Sequence, residues 1–226
     1  MMARQLLLQQ EIDEAVGEYA MLSHPFYQLW AEGKLTQSML AEYAKQYYAH
    51  VAAFPTYVSA VHSRCDDLKV RQLLLENLIE EERGADNHPE LWLRFAEGLG
   101  VSHDEVSSAS LLPSTTDTVA RLKALTASSD YRLGVAALYA YESQIPEVAK
   151  TKRAGLKAFY GIEDSRTVSF FTAHESADQV HRQIEMKILS DGCDTESVRQ
   201  ETVAAAREAA RSLWDFLTGV HEAYVC

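Results

Sequence analysis

The chain has 226 residues, 47% of them apolar and 24% charged, with only five prolines and ten glycines. That is enough to bury a substantial core in a single domain over 1–226, and no low-complexity block reads as a disordered tail. A formal net charge of −12 argues against a nucleic-acid partner, whose phosphates need a basic surface; the longest wholly apolar run, Val135 to Tyr141, falls far short of the roughly 18 residues that would suggest a membrane span.

In chain order, Leu7, Ile12, Ala15, Val16 and Tyr19 recur at helical spacing and predict a first helix from Arg4 to about Ala20. The leucines at its start give way to Gln-Gln-Glu too soon for an export signal, so Cys65, Cys193 and Cys226 are expected as free thiols in a reducing, cytoplasmic setting. Ser23-His24-Pro25 reads as a cap with proline in the first turn of a short helix through Phe26, Tyr27, Leu29 and Trp30, ended by Gly33. Thr36 opens a long run to about Arg64, rich in tyrosine, with Pro55 as its expected kink. Asp66 or Asp67 caps a helix that ends in Glu80-Glu81-Glu82. Asn87-His88-Pro89 follows, where the proline biases His88 away from helical dihedrals, and a helix through Leu91, Trp92, Phe95 and Leu99 stops at Gly100.

Ser102 to Pro113 is the most loop-like stretch and holds at most a short helix; Thr116 or Asp117 starts the next one. From Asp130 the chain is apolar almost all round, Leu133 through Tyr141, which is how a helix at the centre of a bundle reads. It runs straight into Glu142, with the kinking Pro146 just beyond, and a carboxylate there is costly unless something pairs with it. A polar stretch with Lys150, Lys152 and Arg153 ends at Gly161. Asp164 or Ser165 caps a helix to Gly192, and Asp194 or Thr195 begins a last long one. No strand pattern competes, so the expected fold is an all-α bundle of seven to nine helices.

His174, Asp178 and His181 are spaced by four and three residues. At 3.6 residues per turn they form one row along a helix, which can grip a metal ion, although a solvated face can carry the same residues. Glu81 and His88 lie seven apart; taken alone, Glu80-Glu81-Glu82 is a solvated charge run. With Glu142 added, three carboxylates and three imidazoles fall on three helical segments, the donor set of two divalent iron or manganese ions sharing bridging carboxylates. Glu185, four residues after His181, either orients that imidazole or faces water. His24, His50, His62, His103 and His221 lack ligand-spaced partners and read as capped or surface groups. The ferritin Glu-x-x-His spacing is absent.

The segments His24-Pro25-Phe26-Tyr27, Glu81 with His88-Pro89, Tyr141-Glu142-Ser143-Gln144-Ile145-Pro146 and His174-x-x-x-Asp178-x-x-His181 together resemble the haem-oxygenase-like dimetal oxidase superfamily. Within it they are most similar to the branch of the chlamydial protein associating with death domains, related to thiaminase-II-like and pyrroloquinoline-quinone-synthesis proteins. The resemblance spans essentially the whole chain and implies a haem-oxygenase-like helical fold. It implies metal ligation by Glu81, His88, Glu142, His174, Asp178 and His181, with an iron–iron or iron–manganese pair, dioxygen as oxidant and an external reductant whose donor is unknown. The implied activity is synthesis of p-aminobenzoate for folate by a self-sacrificing protein, whose own tyrosine is cleaved at Cα–Cβ and whose lysine donates nitrogen. The matching residues are Tyr27 and Lys152, with Tyr43 and Tyr141 as relays or as the consumed residue. Plain readings stand beside these: Tyr27 as core packing, Lys152 as one of a surface group with Lys150 and Arg153. A multi-turnover oxygenase acting on a small molecule and a partner-binding helical protein are the competing functions, and a homodimer is the default assembly.

Overall fold

The computed structural model describes the backbone of residues 2–226 and the side chains of 6–175 and 180–226. Eleven α-helices and one 3-10 turn account for its elements: α1 (Met2–Gly17), the turn Met21–Ser23, α2 (Pro25–Ala31), α3 (Gln37–Arg64), α4 (Leu68–Glu82), α5 (His88–Gly98), α6 (His103–Ser107), α7 (Pro113–Thr126), α8 (Tyr131–Glu142), α9 (Ile145–Tyr160), α10 (Ser169–Gly192) and α11 (Glu196–Tyr224). The all-α expectation holds, while the count exceeds seven to nine. The excess comes from short α6 and from a break at Ser143-Gln144 that separates α8 from α9. Two starts also move forward or back. Leu112, with Pro113 in the first turn, opens α7 ahead of Thr116, and α10 begins at Ser169 because Asp164 caps a preceding turn by accepting from Thr167 N.

The centre is α8. Gly134 through Glu142 are all buried, and α8 packs against α11, α10, α7 and α3. Asp130 fixes its start by accepting from Arg132 N, so a helix with no polar face still begins at a defined residue. The long α3 stays one helix with Pro55 inside it, from Thr36, which accepts from Met39 N, to Cys65. Its buried stripe Tyr43, Tyr47, His50, Phe54 and Tyr57 follows a four-three alternation, the spacing that stacks side chains on one helical face. These aromatics meet Trp30, Trp92, Phe95, Phe170 and Phe171 in one contiguous apolar core. Among the described residues, no helix is long and apolar enough to cross a membrane.

Candidate metal centre

Four helices bring their polar residues to one buried place. Asn77 and Glu81 lie on the inner face of α4, His88 is the first residue of α5, Glu142 the last of α8, and His174, His181 and Glu185 line α10; all seven are 1–5% exposed. The proline that biases His88 does not remove it from the site. Asn87 caps α5 by accepting from Glu90 N, which places His88 at the helix start with its ring turned inward. Asp178 lies on the backbone of α10 but outside the described side chains.

Glu81, His88 and His174 each offer a ligand atom, and these atoms all lie within 4.8 Å of one another. His88 Nδ1 stands 2.8 Å from Glu81 Oε1, and the His88 and His174 rings are 4.2 Å apart. His174 Nδ1 is 2.7 Å from the Phe170 carbonyl, a contact that makes Nδ1 the protonated nitrogen and leaves Nε2 as the donor for a metal. Next to this group, Glu142 Oε1 accepts from Asn77 Nδ2 at 2.9 Å and lies 3.3 Å from His181 Nδ1. The other His181 nitrogen, Nε2, is 3.1 Å from Glu80 Oε2.

The electrostatics match a site built for cations. Burial raises the Glu81 carboxyl above its usual range against the pull of His88, and burial together with the neighbouring His88 drives His174 well below the usual imidazole range. Burial would lower His181, but the hydrogen bond and charge of Glu142, with Glu80 and Glu81 behind, outweigh it and raise this imidazole. Burial would likewise raise Glu142, yet hydrogen bonds from Glu185, His181 and Asn77 hold it below its usual value. Three imidazoles and three described buried carboxyls, with Asp178 on the same helix, are the mixed nitrogen and oxygen set that suits divalent iron or manganese. The residues fit divalent metal ions of that kind.

A second polar group lies in the aromatic core. Lys152, on α9, is 3% exposed, which removes the surface reading of this residue. Its Nζ donates to Tyr43 Oη at 2.6 Å, and Tyr43 Oη is 2.8 Å from Tyr27 Oη. The amine lies 4.6 Å from the centre of the Tyr27 ring and 4.9 Å from those of Tyr43 and Tyr47. Burial lowers the Lys152 amine well below the usual lysine value and raises the Tyr27 and Tyr43 phenols well above theirs, so it disfavours the charged form of all three. Tyr141 joins it from α8 through Tyr47, which donates to Tyr141 Oη at 2.8 Å.

The two places are held in register by the break after α8. Gln144 accepts from Met21 N at 2.8 Å and donates to the Ala140 carbonyl at 2.9 Å, tying the 3-10 turn before Tyr27 to the end of the helix that carries Glu142. His24 caps α2 by accepting from Phe26 N, and Trp30 Nε1 donates to the Lys152 carbonyl at 3.2 Å. A Cβ at Gly155 would sit 2.8 Å from Trp30 Cδ1, so only glycine lets α9 lie this close to α2.

Spacing alone passed over four contributors. Asn77 precedes Glu81 by one turn and Tyr47 follows Tyr43 by one turn, so both carried a periodic signal. Gln144 sits inside a segment already singled out, and Glu80 is hidden in a charge run. His50, expected as capped or exposed, is 2% exposed against the Tyr141 ring, and burial lowers it to about 3.

A protein named 4-aminobenzoate synthase from Nitrosomonas europaea is 42% identical over 224 residues, covering 95% of this chain and 91% of that protein. One of the same name from Chlamydia muridarum is 41% identical over 216 residues, covering 96% and 91%. Among solved structures, a TenA homologue from Pseudomonas syringae superposes with a TM-score of 0.84 at 14% identity, covering 95% of this chain and 93% of that one, which shows a shared fold. Residues 41–215 match the family described as iron-containing redox enzymes, and the chain belongs to that family of haem-oxygenase-like enzymes.

Proposed function

We propose that the protein is an oxygen-dependent dimetal oxidase that makes 4-aminobenzoate from its own Tyr27, with Lys152 as the amino donor. The observation that carries this reading is the Lys152 amine, buried against the Tyr27 ring and hydrogen-bonded to Tyr43 beside a metal-ligand cluster. The names of relatives at about 40% identity support the product.

Glu81, His88, Glu142, His174, Asp178 and His181 would hold two divalent ions, iron with iron or iron with manganese. With dioxygen and an external reductant, such a pair supplies the oxidising equivalents. The remaining work falls to the chain. Tyr141 and Tyr47 link the end of α8 to the aromatic core through their hydroxyls, and Tyr43 stacks on Tyr47 while sharing a hydrogen bond with Tyr27. Burial disfavours the ammonium form of Lys152, and the neutral amine has a lone pair available for the Tyr27 ring. The packed rings of Trp30, Trp92 and Phe171 exclude water from the amine. In the overall change, driven by dioxygen and the external reductant, the Cα–Cβ bond of Tyr27 breaks and Cβ is oxidised to a carboxylate; the phenolic oxygen leaves as water, and the nitrogen that replaces it comes from Lys152 by cleavage of its Nζ–Cε bond, with Cε oxidised to an aldehyde.

The test is incubation of the chain, made with nitrogen-15 lysine, with Fe(II), or Fe(II) and Mn(II), a reductant and oxygen. The expected result is at most one 4-aminobenzoate per chain, carrying the label, with a matching mass loss in the peptide containing Tyr27. Product in excess of protein from an unaltered polypeptide would overturn the reading in favour of a multi-turnover oxygenase.

A further inference from the structure

Glu185 is a fully buried carboxyl that the six-ligand set does not use, at 1% exposure. It extends the row on α10, so that 174, 178, 181 and 185 follow spacings of four, three and four. The expected task of such a residue is to orient His181. Both nitrogens of that ring already face carboxylates from other helices, Nδ1 towards Glu142 and Nε2 towards Glu80, so Glu80 fills the orienting role. Glu185, one turn beyond His181 and as deeply buried as Glu142, instead lies close enough to Glu142 to hold that carboxyl down. Two carboxyl groups in contact out of water form an arrangement that a shared cation stabilises.

Charge balance points the same way. On the six-ligand reading, Glu81, Glu142 and Asp178 would bring three negative charges to a centre that two divalent ions enter with four positive ones. A buried net charge is unfavourable, and a fourth carboxylate from Glu185 makes the ligand shell neutral. Four carboxylates around a metal pair is also the complement found in di-iron bundle proteins built on a different motif.

We propose that Glu185 is a seventh protein ligand of the centre, sharing with Glu142 the ion on the His181 side; this rests on the reading of the site as a dimetal one. The test uses the full chain freed of metal, with Mn(II) as the probe and no oxygen chemistry involved. Wild type, Glu185→Gln, Glu185→Ala and Glu185→Asp are compared by equilibrium dialysis and by the Mn(II) paramagnetic spectrum, with helix content and melting checked before metal is added.

Wild type is expected to take up two ions per chain with an exchange-coupled spectrum. Glu185→Gln and Glu185→Ala should keep one ion at near wild-type affinity and bind the other at least 100-fold more weakly, giving the six-line spectrum of an isolated ion, while Glu185→Asp falls between. If Gln proves misfolded, Asp carries the comparison, since it keeps the charge and withdraws the oxygen by one methylene. Two ions bound with unchanged affinities overturn the proposal. So does a tenfold uniform weakening with the coupled spectrum intact, which marks Glu185 as a positioning residue for Glu142. Fewer than two ions in wild type would instead overturn the dimetal reading itself, and with it this proposal; neither result depends on whether 4-aminobenzoate is made.

Discussion

The ligand cluster and the Lys152 site are both buried and both polar, but they handle charge in opposite ways. Glu81 meets His88 and Glu142 meets His181, and in the second pair the contact lowers the acid and raises the imidazole, so each partner favours the charged form of the other. Around Lys152 there are six aromatic rings and the Tyr43 hydroxyl, with no carboxylate paired to it among the described residues, and burial drives the amine well below the usual lysine range. The first environment suits holding cations and the second suits a nucleophile.

The contrast breaks most completely at the ligands. His174→Ala should abolish binding of at least one ion and lower product by more than about 1,000-fold, as read by metal analysis and product assay. If His174→Ala retained two ions, the cluster would not be the metal centre. Lys152→Met should also end product formation, yet leave metal content intact and make the fold more stable, by about 1–3 kcal/mol at neutral pH, because an amine with no counter-ion gives way to an apolar chain of similar shape.

The gain has a pH signature. The folded-state value of Lys152 lies below the unfolded one, so the unfolded chain binds a proton that the folded chain does not. Wild-type stability relative to Lys152→Met should therefore rise with pH, by at most about 1.4 kcal/mol per unit, until pH nears the unfolded lysine value of about 10.4. Chemical denaturation of both proteins between pH 6.5 and 9 measures this, and parallel curves would mean that the buried lysine is charged. A smaller effect is expected from Glu80→Gln, which leaves His181 without its outer carboxylate. Metal affinity should fall about 10–100-fold, as dialysis would record, with the aromatic site untouched. The smallest is Tyr47→Phe, which removes the hydroxyl that donates to Tyr141. It should cost about 1 kcal/mol in denaturant midpoint and leave metal binding unchanged.

The two regions also differ in how far the sequence reveals them. That His174 and His181 share the buried face of α10, and that the buried α8 ends in Glu142, follow from periodicity, since residues seven apart on a helix share a face. Lys152 is harder to read because Lys150 and Arg153 flank it and suggest a surface. Its stripe was nevertheless legible: Val148, Ala149, Lys152 and Leu156 lie on one face of α9, and all are buried. A lysine in an apolar stripe is the signal, and the neighbouring charges mask it. Glu80 and the break at Ser143-Gln144 were beyond reach, because each depends on where another helix lies. Glu80 meets His181 across the bundle, and Gln144 meets the backbone of Met21, more than a hundred residues away in the chain.

Tyr27 is 1% exposed, wedged among Phe26, Trp30 and Tyr43 in the middle of short α2. On the proposed reaction, the loss of its side chain leaves a glycine-like residue in a helix and a ring-sized void in the core. Truncations of this kind cost about 3–5 kcal/mol, with about 1 kcal/mol more for the glycine. Against the 5–15 kcal/mol of total stability common to folded proteins, the spent chain becomes a far better substrate for proteolysis than the fresh one. Supply of the product is then tied to the rate of translation, with each molecule marked for clearance by the act that used it.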